Sequence, residues 1–216
     1  MTAETPKRGR PIATSTDPRT GRTLSSVRDP DYWQALGEFI EAFASAETML
    51  FQLLILSAKM RHDSARALLS GIHVDQMISL VRRVWQVMPL AADVTRKLSG
   101  VLEQFKIISD MRNSMVHYVS FVTRDKGRVS SNVTRALTDR HLHERRISPT
   151  IMQDMTNDIH KISDHLVYAV SATANPKIAR DDLASRFPAL AASWRYKPPE
   201  DQSRSVPTRR QRRRQQ

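Results

Sequence analysis

The chain has 216 residues, 40% of them hydrophobic, and a formal net charge of +12, which suits one globular domain with charged extensions. It contains no cysteine, which excludes disulfides, a thiol nucleophile and thiolate metal ligands. It has neither an uninterrupted run of about 18 apolar residues nor an apolar N-terminal stretch typical of a secretory signal. We therefore expect a soluble, cytoplasmic protein that does not enter a membrane.

The positive charge is concentrated at the two ends of the chain. Residues 1–28 carry six Lys or Arg against two Asp or Glu, and residues 195–216 carry eight against two, which leaves +2 for residues 29–194. Because both ends lack hydrophobic periodicity, we expect a disordered basic N-terminal segment at 1–28 and a disordered Arg-rich tail at 195–216. The tail either attracts nucleic acid without sequence preference or only keeps the protein soluble. Its candidate nucleic-acid-binding residues are Arg209, Arg210, Arg212, Arg213 and Arg214.

The central part of the chain, residues 29–175, is rich in helical signals. Asp29-Pro30 and Ser148-Pro149 each combine a capping side chain with a proline suited to the first helical position. Apolar spacing predicts a short helix at 65–70, ended by Gly71, and four long helices at about 30–59, 74–88, 91–117 and 149–174. The expected fold is all-α, an antiparallel four-helix bundle with up-down-up-down connections.

Two shorter segments complete the predicted organisation. Residues 118–123 and 129–134 are β-prone runs around a polar turn with Gly127, which predicts a hairpin between the third and fourth long helices. An isolated hairpin is only marginally stable, so we expect it to lean on the bundle as a lip. Residues 176–194 are expected to form a short helical or loop extension, and Trp194 and Tyr196 to anchor the start of the tail.

Arg112 occupies a position where the third long helix requires an apolar side chain. A charge there costs several kcal/mol unless it is paired or reaches a water-filled cleft. Glu47 interrupts the apolar line of the first helix in the same way, so we expect Glu47 to face Arg112 or His117 across the bundle. The apolar stripe in which Arg112 lies consists of Leu98, Val101, Phe105, Ile108, Met115 and Val119.

The run Met111–His117, MRNSMVH, resembles the signature of HEPN domains, which are small helical-bundle ribonucleases and their inactive relatives. Their pattern is an arginine, four to six residues and a histidine, often with a polar residue directly after the arginine. Arg112, Asn113 and His117 fit this pattern, and the motif comes late in a long helix, as it does in the family. The resemblance extends over roughly residues 31–172 in helix order, and its specific part is this motif.

The resemblance implies a metal-independent endoribonuclease that cleaves RNA by attack of the 2′-hydroxyl. Its catalytic residues would be Arg112, His117 and Asn113, with Glu47 holding Arg112 or serving as a further polar group. The family commonly pairs two motifs across a dimer, so the resemblance also implies a homodimer, with RNA as substrate and no cofactor. A role as a toxin or in phage defence, with an antitoxin partner protein, is consistent with such an activity.

Other interpretations of the same residues remain open. Arg112 and Glu47 would form a purely structural pair if His117 only capped the helix end. The spacing also occurs at Arg66–His73, across a predicted helix break, and at Arg135–His141, in a polar connection. The protein would then be a non-catalytic HEPN-like module that binds nucleic acid, nucleotides or protein, or a helical protein acting through its basic ends. A metal hydrolase is disfavoured, because no set of acidic residues and histidines has ligand spacing.

Overall fold

The computed structural model describes residues 15–17, 22–24, 29–89, 92–123, 127–132, 136, 143–174 and 193–198. This part of the chain is mostly helical, with a small antiparallel sheet. The helices are α1 (Pro30–Ser57), α2 (His62–Leu69), α3 (Val74–Val87), α4 (Ala92–His117) and α5 (Pro149–Ala174). The strands are β1 (Ser15–Asp17), β2 (Arg22–Leu24), β3 (Val119–Thr123), β4 (Gly127–Ser131) and β5 (Glu144–Arg146).

The two proline-marked helix starts form as the sequence predicts. The Asp29 carboxylate accepts a hydrogen bond from the Tyr32 backbone N–H at 3.1 Å, with Pro30 in the first turn of α1. The Ser148 hydroxyl accepts from the Ile151 N–H at 3.1 Å in the same way at the start of α5. Each side chain satisfies a donor that the first helical turn leaves free.

The four long helices share one hydrophobic core. Helix α1 packs against α5 and α3, and α4 packs against the same two helices from the other side. Phe43 of α1 and Phe105 of α4 meet across the core with ring centroids 5.3 Å apart. The largest fully buried side chains include Phe39, Leu50 and Leu53 of α1, Ile78 of α3, Leu98, Leu102, Phe105, Ile108 and Met111 of α4, and Met152 and Met155 of α5.

The predicted bundle needs two corrections. The short helix predicted at 65–70 forms as α2, so the described part contains five helices, whereas the predicted four-helix bundle counted only the long ones. The Trp85 indole N–H donates to the Ser57 hydroxyl at 3.4 Å, so α1 and α3 meet at their C-terminal ends. Simple up-down alternation would bring the end of α1 to the start of α3 instead. The observed meeting of the two C-terminal ends is possible because α2 connects α1 to α3.

The predicted hairpin is part of a larger antiparallel sheet with the strand order β1-β2-β3-β4-β5. Strands β3 and β4 form the hairpin, with Phe121 opposite Val129. Gly127 begins β4 with a φ of +69°, a conformation that favours glycine. Strands β1 and β2 lie within the expected disordered segment 1–28, so that expectation fails for them; Thr23 pairs with Val122 and adds them to the sheet edge.

Helix α1 is long and apolar enough, by length and composition alone, to cross a membrane. The core helix of a soluble protein passes the same test, so this is weak evidence. In this fold α1 buries Phe39, Leu50 and Leu53 against its helical neighbours.

Candidate functional site

The Arg112 guanidinium lies at the edge of the core, where α4 faces α1. Its Cζ atom is 5.5 Å from the centroid of the Phe43 ring. Helical side chains lean toward the N-terminus of their own helix, which directs Arg112 back toward the level of the Phe43–Phe105 pair. Arg112 is half-buried and therefore combines a ring contact with partial access to solvent.

The hydrogen-bonding capacity of Arg112 is incompletely used. Its Nη1 group donates to Asn113 Oδ1 at 3.1 Å. Its Nε is buried without a hydrogen-bond partner, one of three such side-chain atoms among the described residues. A buried donor left in this state costs about 1–3 kcal/mol. An anion from solvent cannot reach this buried Nε, so the donors it can contact are the remaining N–H groups of the half-buried guanidinium.

Glu47 does not pair with Arg112 or His117. It lies one turn after Phe43 on α1 and is half-buried, yet it forms no ion pair in the part of the chain that the structure describes. The expected pair is absent because Arg112 stacks on Phe43 and bonds to its neighbour Asn113 instead. Helices α1 and α4 each pack mainly against α3 and α5 rather than against each other.

His117 is the last residue of α4, and its side chain is exposed. In an ideal helix Asn113 and His117 project about 40° apart, whereas Arg112 and His117 project about 140° apart. Asn113 therefore lies on the same face as His117, while its amide oxygen holds the guanidinium. Arg112 is thus hydrogen-bonded to Asn113, while His117 shares only the helix face of Asn113.

Acidic and basic side chains surround this face of α4. Burial raises the pKa of Asp110 above its usual value, the Asp75 carboxylate raises it further, and Arg145 and Lys106 lower it. The ion pair between Arg82 and Glu103, at 2.6 Å, joins α3 to α4. Asp75 lies seven residues before Arg82 on α3, and Asp110 lies seven residues after Glu103 on α4. The antiparallel pairing of the two helices therefore brings the two carboxylates near each other. Asp75 and Arg145 were not predicted, since their proximity depends on how distant segments pack.

The β3–β4 hairpin is fixed beside the motif. The Ser130 hydroxyl donates to the backbone oxygen of Ser114 at 2.6 Å, which ties β4 to the last turns of α4. Arg128 lies over the Tyr32 ring, with its Cζ 4.1 Å from the centroid, and donates to the Ser120 hydroxyl at 3.4 Å. The hairpin thus contacts both α4 and the start of α1, as a lip beside the motif would.

The remaining candidate residues lie elsewhere. Arg66 and His73 belong to α2 and to the cap of α3, and Gly71, with a φ of +78°, separates these helices. Residues 135 and 141, and the five candidate arginines of the tail, are outside the described residues. Within the described ranges no group of three or more His, Asp or Glu could hold a metal ion. A groove between α1 and α2, lined in part by Phe51 and Arg66, shares no residue with the motif.

No protein-family model, curated protein or solved structure matches this chain. The functional proposal therefore rests on the motif and on the geometry around it.

Proposed function

We propose that this protein is a metal-independent endoribonuclease of the HEPN type that acts as a homodimer. The observation that carries the proposal is the state of Arg112, whose half-buried guanidinium has an unpartnered buried Nε and no carboxylate partner among the described residues. A core that needed only stability would place an apolar side chain there. The motif lies at the C-terminal end of the long helix α4, which is where the resemblance to that family leads us to expect it.

Arg112 is suited to bind the phosphate at which RNA is cut. Arginine keeps its charge at all ordinary pH values and can donate two parallel hydrogen bonds to phosphate oxygens. The Phe43 ring fixes one side of the guanidinium and Asn113 holds Nη1. This support limits the side-chain entropy lost when a phosphate binds, and it places positive charge where the transition state gains negative charge.

His117 is suited to move the protons of the reaction. The 2′-oxygen forms a bond to phosphorus, the bond from phosphorus to the 5′-oxygen breaks, and the products are a 2′,3′-cyclic phosphate and a 5′-hydroxyl. One proton leaves the 2′-hydroxyl and one is delivered to the departing 5′-oxygen. An imidazole exchanges protons near neutral pH, and the exposed position of His117 leaves it accessible to RNA.

A second copy of the chain supplies what one motif lacks. One histidine cannot readily serve as acid and base in the same step, and Arg112 and His117 project in different directions from α4. Two motifs facing each other would bring the Arg112 of one copy toward the His117 of the other. The neighbouring Val116 is 48% exposed at the end of α4 and offers an apolar contact for such a pairing.

The biological setting that we propose is the cytoplasm, where the enzyme acts on RNA as a toxin or in phage defence. An antitoxin protein would be a natural partner for such an activity. Expression of the wild-type chain should slow growth, and expression of the His117→Ala variant should not. Equal growth with both proteins at equal abundance would argue against a toxic ribonuclease.

The biochemical test is cleavage of single-stranded RNA in excess chelator. We expect Arg112→Ala and His117→Ala each to abolish cleavage while the helical circular dichroism spectrum stays unchanged. Arg83→Ala and His160→Ala are matched controls, because both side chains are exposed and lie outside the motif. Cleavage by both motif variants at the wild-type rate would refute the proposal.

A second candidate is a non-catalytic module of the same fold that binds nucleic acid, nucleotides or another protein. The angle of about 140° between Arg112 and His117 favours it, because a single motif does not converge on one reacting bond. This candidate predicts that Arg112→Ala weakens binding of RNA while the wild-type chain leaves the RNA intact.

A further inference from the structure

A short C-terminal segment, Ser193–Pro198, is held against the bundle by a buried carboxylate. Asp158 of α5 is 2% exposed. Its two oxygens accept the backbone N–H groups of Arg195 and Tyr196, both at 2.9 Å. The amide nitrogen of Gln104, on α4, donates to Asp158 at 3.1 Å and to the Tyr196 backbone oxygen at 3.0 Å. The segment is thus bound through its backbone by two helices at once.

Aromatic side chains fix the same segment. Tyr196 is 6% exposed and belongs to the hydrophobic core. The Lys161 ammonium lies 4.4 Å from the centroid of the Trp194 ring, and the His165 ring lies 6.3 Å from it. Asp158, Lys161 and His165 form one line of α5 at helical spacing, and that line faces Trp194. The expectation that Trp194 and Tyr196 anchor the start of the tail is confirmed.

This cluster is not used by the proposed cleavage chemistry. Burying a carboxylate is costly unless hydrogen bonds satisfy it, and Asp158 accepts hydrogen bonds from two N–H groups of the segment and from Gln104. Apolar packing would stabilise two helices without this cost. Directional bonds to backbone N–H groups instead fix the register of one particular segment.

The location of the cluster relates it to the motif. Gln104 and Arg112 lie on the same helix, eight residues apart, which corresponds to about 12 Å along its axis. The chain continues from Pro198 to the first arginine of the RRQRRR run, Arg209, over eleven residues. Eleven residues span at most about 40 Å. Those arginines are therefore covalently held within reach of Arg112.

We propose that Ser193–Pro198 is a strap that clamps α4 to α5 and keeps the Arg-rich end of the chain next to the Arg112 motif. The inference rests on the proposed function, because its consequence is that RNA attracted by the arginines stays close to the motif. Asp158 and Gln104 are positioning residues in this arrangement and do not touch the RNA.

The length of the tether sets the size of the effect. With the strap in place, the last described residue before Arg209 is Pro198, eleven residues away; without it, the nearest preceding described residue is Ala174, thirty-five residues away. Effective concentration falls roughly as the −3/2 power of tether length, so the change from eleven to thirty-five residues lowers it by up to about 6-fold. RNA that contacts the arginines and the motif together should lose affinity by up to this factor.

A pair of variants at position 195 tests the strap in the full chain. Arg195→Pro removes the N–H that Asp158 accepts, and Arg195→Ala removes the same charge but keeps that N–H. The Arg195 side chain is exposed, so neither change disturbs the core. Hydrogen exchange at the Tyr196 amide reports attachment directly: it should be protected in Arg195→Ala and lose protection in Arg195→Pro. Trp194→Ala is a second detaching variant, with Ser193→Ala as its control.

Affinity is measured with a 2′-O-methyl RNA oligonucleotide, which the proposed chemistry cannot cleave. We expect Arg195→Pro to bind more weakly than Arg195→Ala, by up to about 6-fold. On cleavable RNA, we expect Arg195→Pro to raise KM and leave kcat unchanged. Equal affinities for the two variants, or an unprotected Tyr196 amide in the wild-type chain, would overturn the strap. Because binding is measured without cleavage, a chain that does not cut RNA would remove the proposed function and leave this test valid.

Discussion

Arg112 of α4 and Phe43 of α1 form a cation–π contact across the core, with 5.5 Å between Cζ and the ring centroid. Such a contact stabilises by about 0.5–2 kcal/mol, depending on how far it is desolvated. The unpartnered Nε costs about 1–3 kcal/mol in the opposite direction. The two effects are of similar size, so this arginine gives the fold little net stability, and its presence calls for a functional reason.

Replacing Arg112 with methionine separates the functional role from a structural one. Methionine fills much of the same space without a buried polar atom, so Arg112→Met should raise the free energy of unfolding by about 1 kcal/mol. The same variant should lose RNA cleavage. Urea denaturation measures the first effect. Arg82→Met, at an exposed ion pair, is the control and should change stability by less than about 0.5 kcal/mol. Destabilisation by Arg112→Met would show that the arginine supports the fold.

Acid should weaken the fold through His165. Burial lowers the pKa of His165 to about 4 from an ordinary 6.5, and Lys161 and Lys97 lower it in the same direction. Below about pH 6.5 the unfolded chain takes up a proton that the folded protein does not bind until about pH 4. The free energy of unfolding should therefore fall as the pH drops through this window.

The His165 contribution can be isolated with His165→Gln, which cannot titrate. Urea denaturation at several pH values between about 7 and 4.5 should show a smaller loss of stability in this variant than in the wild-type chain. His160→Gln, at an exposed position on the same helix, is the matched control. Identical pH profiles for wild type and His165→Gln would show that His165 is not responsible.

The hairpin should loosen when its tie to α4 is cut. Ser130 is 1% exposed, and its hydroxyl donates to the Ser114 backbone oxygen at 2.6 Å. Ser130→Ala should lower the free energy of unfolding by about 1 kcal/mol and speed hydrogen exchange in β3 and β4. Ser79→Ala, which removes an exposed hydroxyl bonded within its own helix, should leave both quantities nearly unchanged. Unaltered exchange in the hairpin of Ser130→Ala would contradict this role.

The salt dependence of RNA binding should come largely from the tail. Each phosphate contact with a single strand adds about 0.7 to the slope of log affinity against log salt concentration. Changing Arg209, Arg210, Arg212, Arg213 and Arg214 to glutamine should reduce the slope by up to about 3.5. Arg83→Gln combined with Arg96→Gln, both exposed on the helices, is the control and should alter it little. An unchanged slope in the tail variant would assign the electrostatic attraction to the bundle.

The local features of the fold could be predicted from the sequence, and the long-range ones could not. The cap hydrogen bonds of Asp29 and Ser148 join residues three positions apart, so neighbouring residues in the sequence are sufficient to identify them. The meeting of Ser57 with Trp85 depends on the path of α2, which periodicity does not encode. Strands β1 and β2 were missed because pairing makes them strands, β1 with β2 and β2 with β3, rather than their own composition.

The candidate site shows the same division. Arg112 could be identified because a charge in an apolar stripe is visible in the sequence. Its partner was predicted by matching opposite charges, which gave Glu47, whereas the folded chain uses the Phe43 ring and Asn113. Asp158 and Gln104 were missed because their partners in the strap lie 37 to 92 residues away along the chain. Polar residues on a helix become recognisable as a binding cluster only when such a segment is in place.

The most direct test of the ribonuclease proposal is the chemical nature of the cut made by the purified chain in excess chelator. The account predicts fragments ending in a 2′,3′-cyclic phosphate, no cleavage where the attacking 2′-hydroxyl is replaced by hydrogen, and no cleavage by a folded Arg112→Ala variant. If the deoxy-substituted position is cut as fast as the ribose, or if Arg112→Ala cuts as fast as the wild-type chain, the Arg112 motif is not a ribonuclease site.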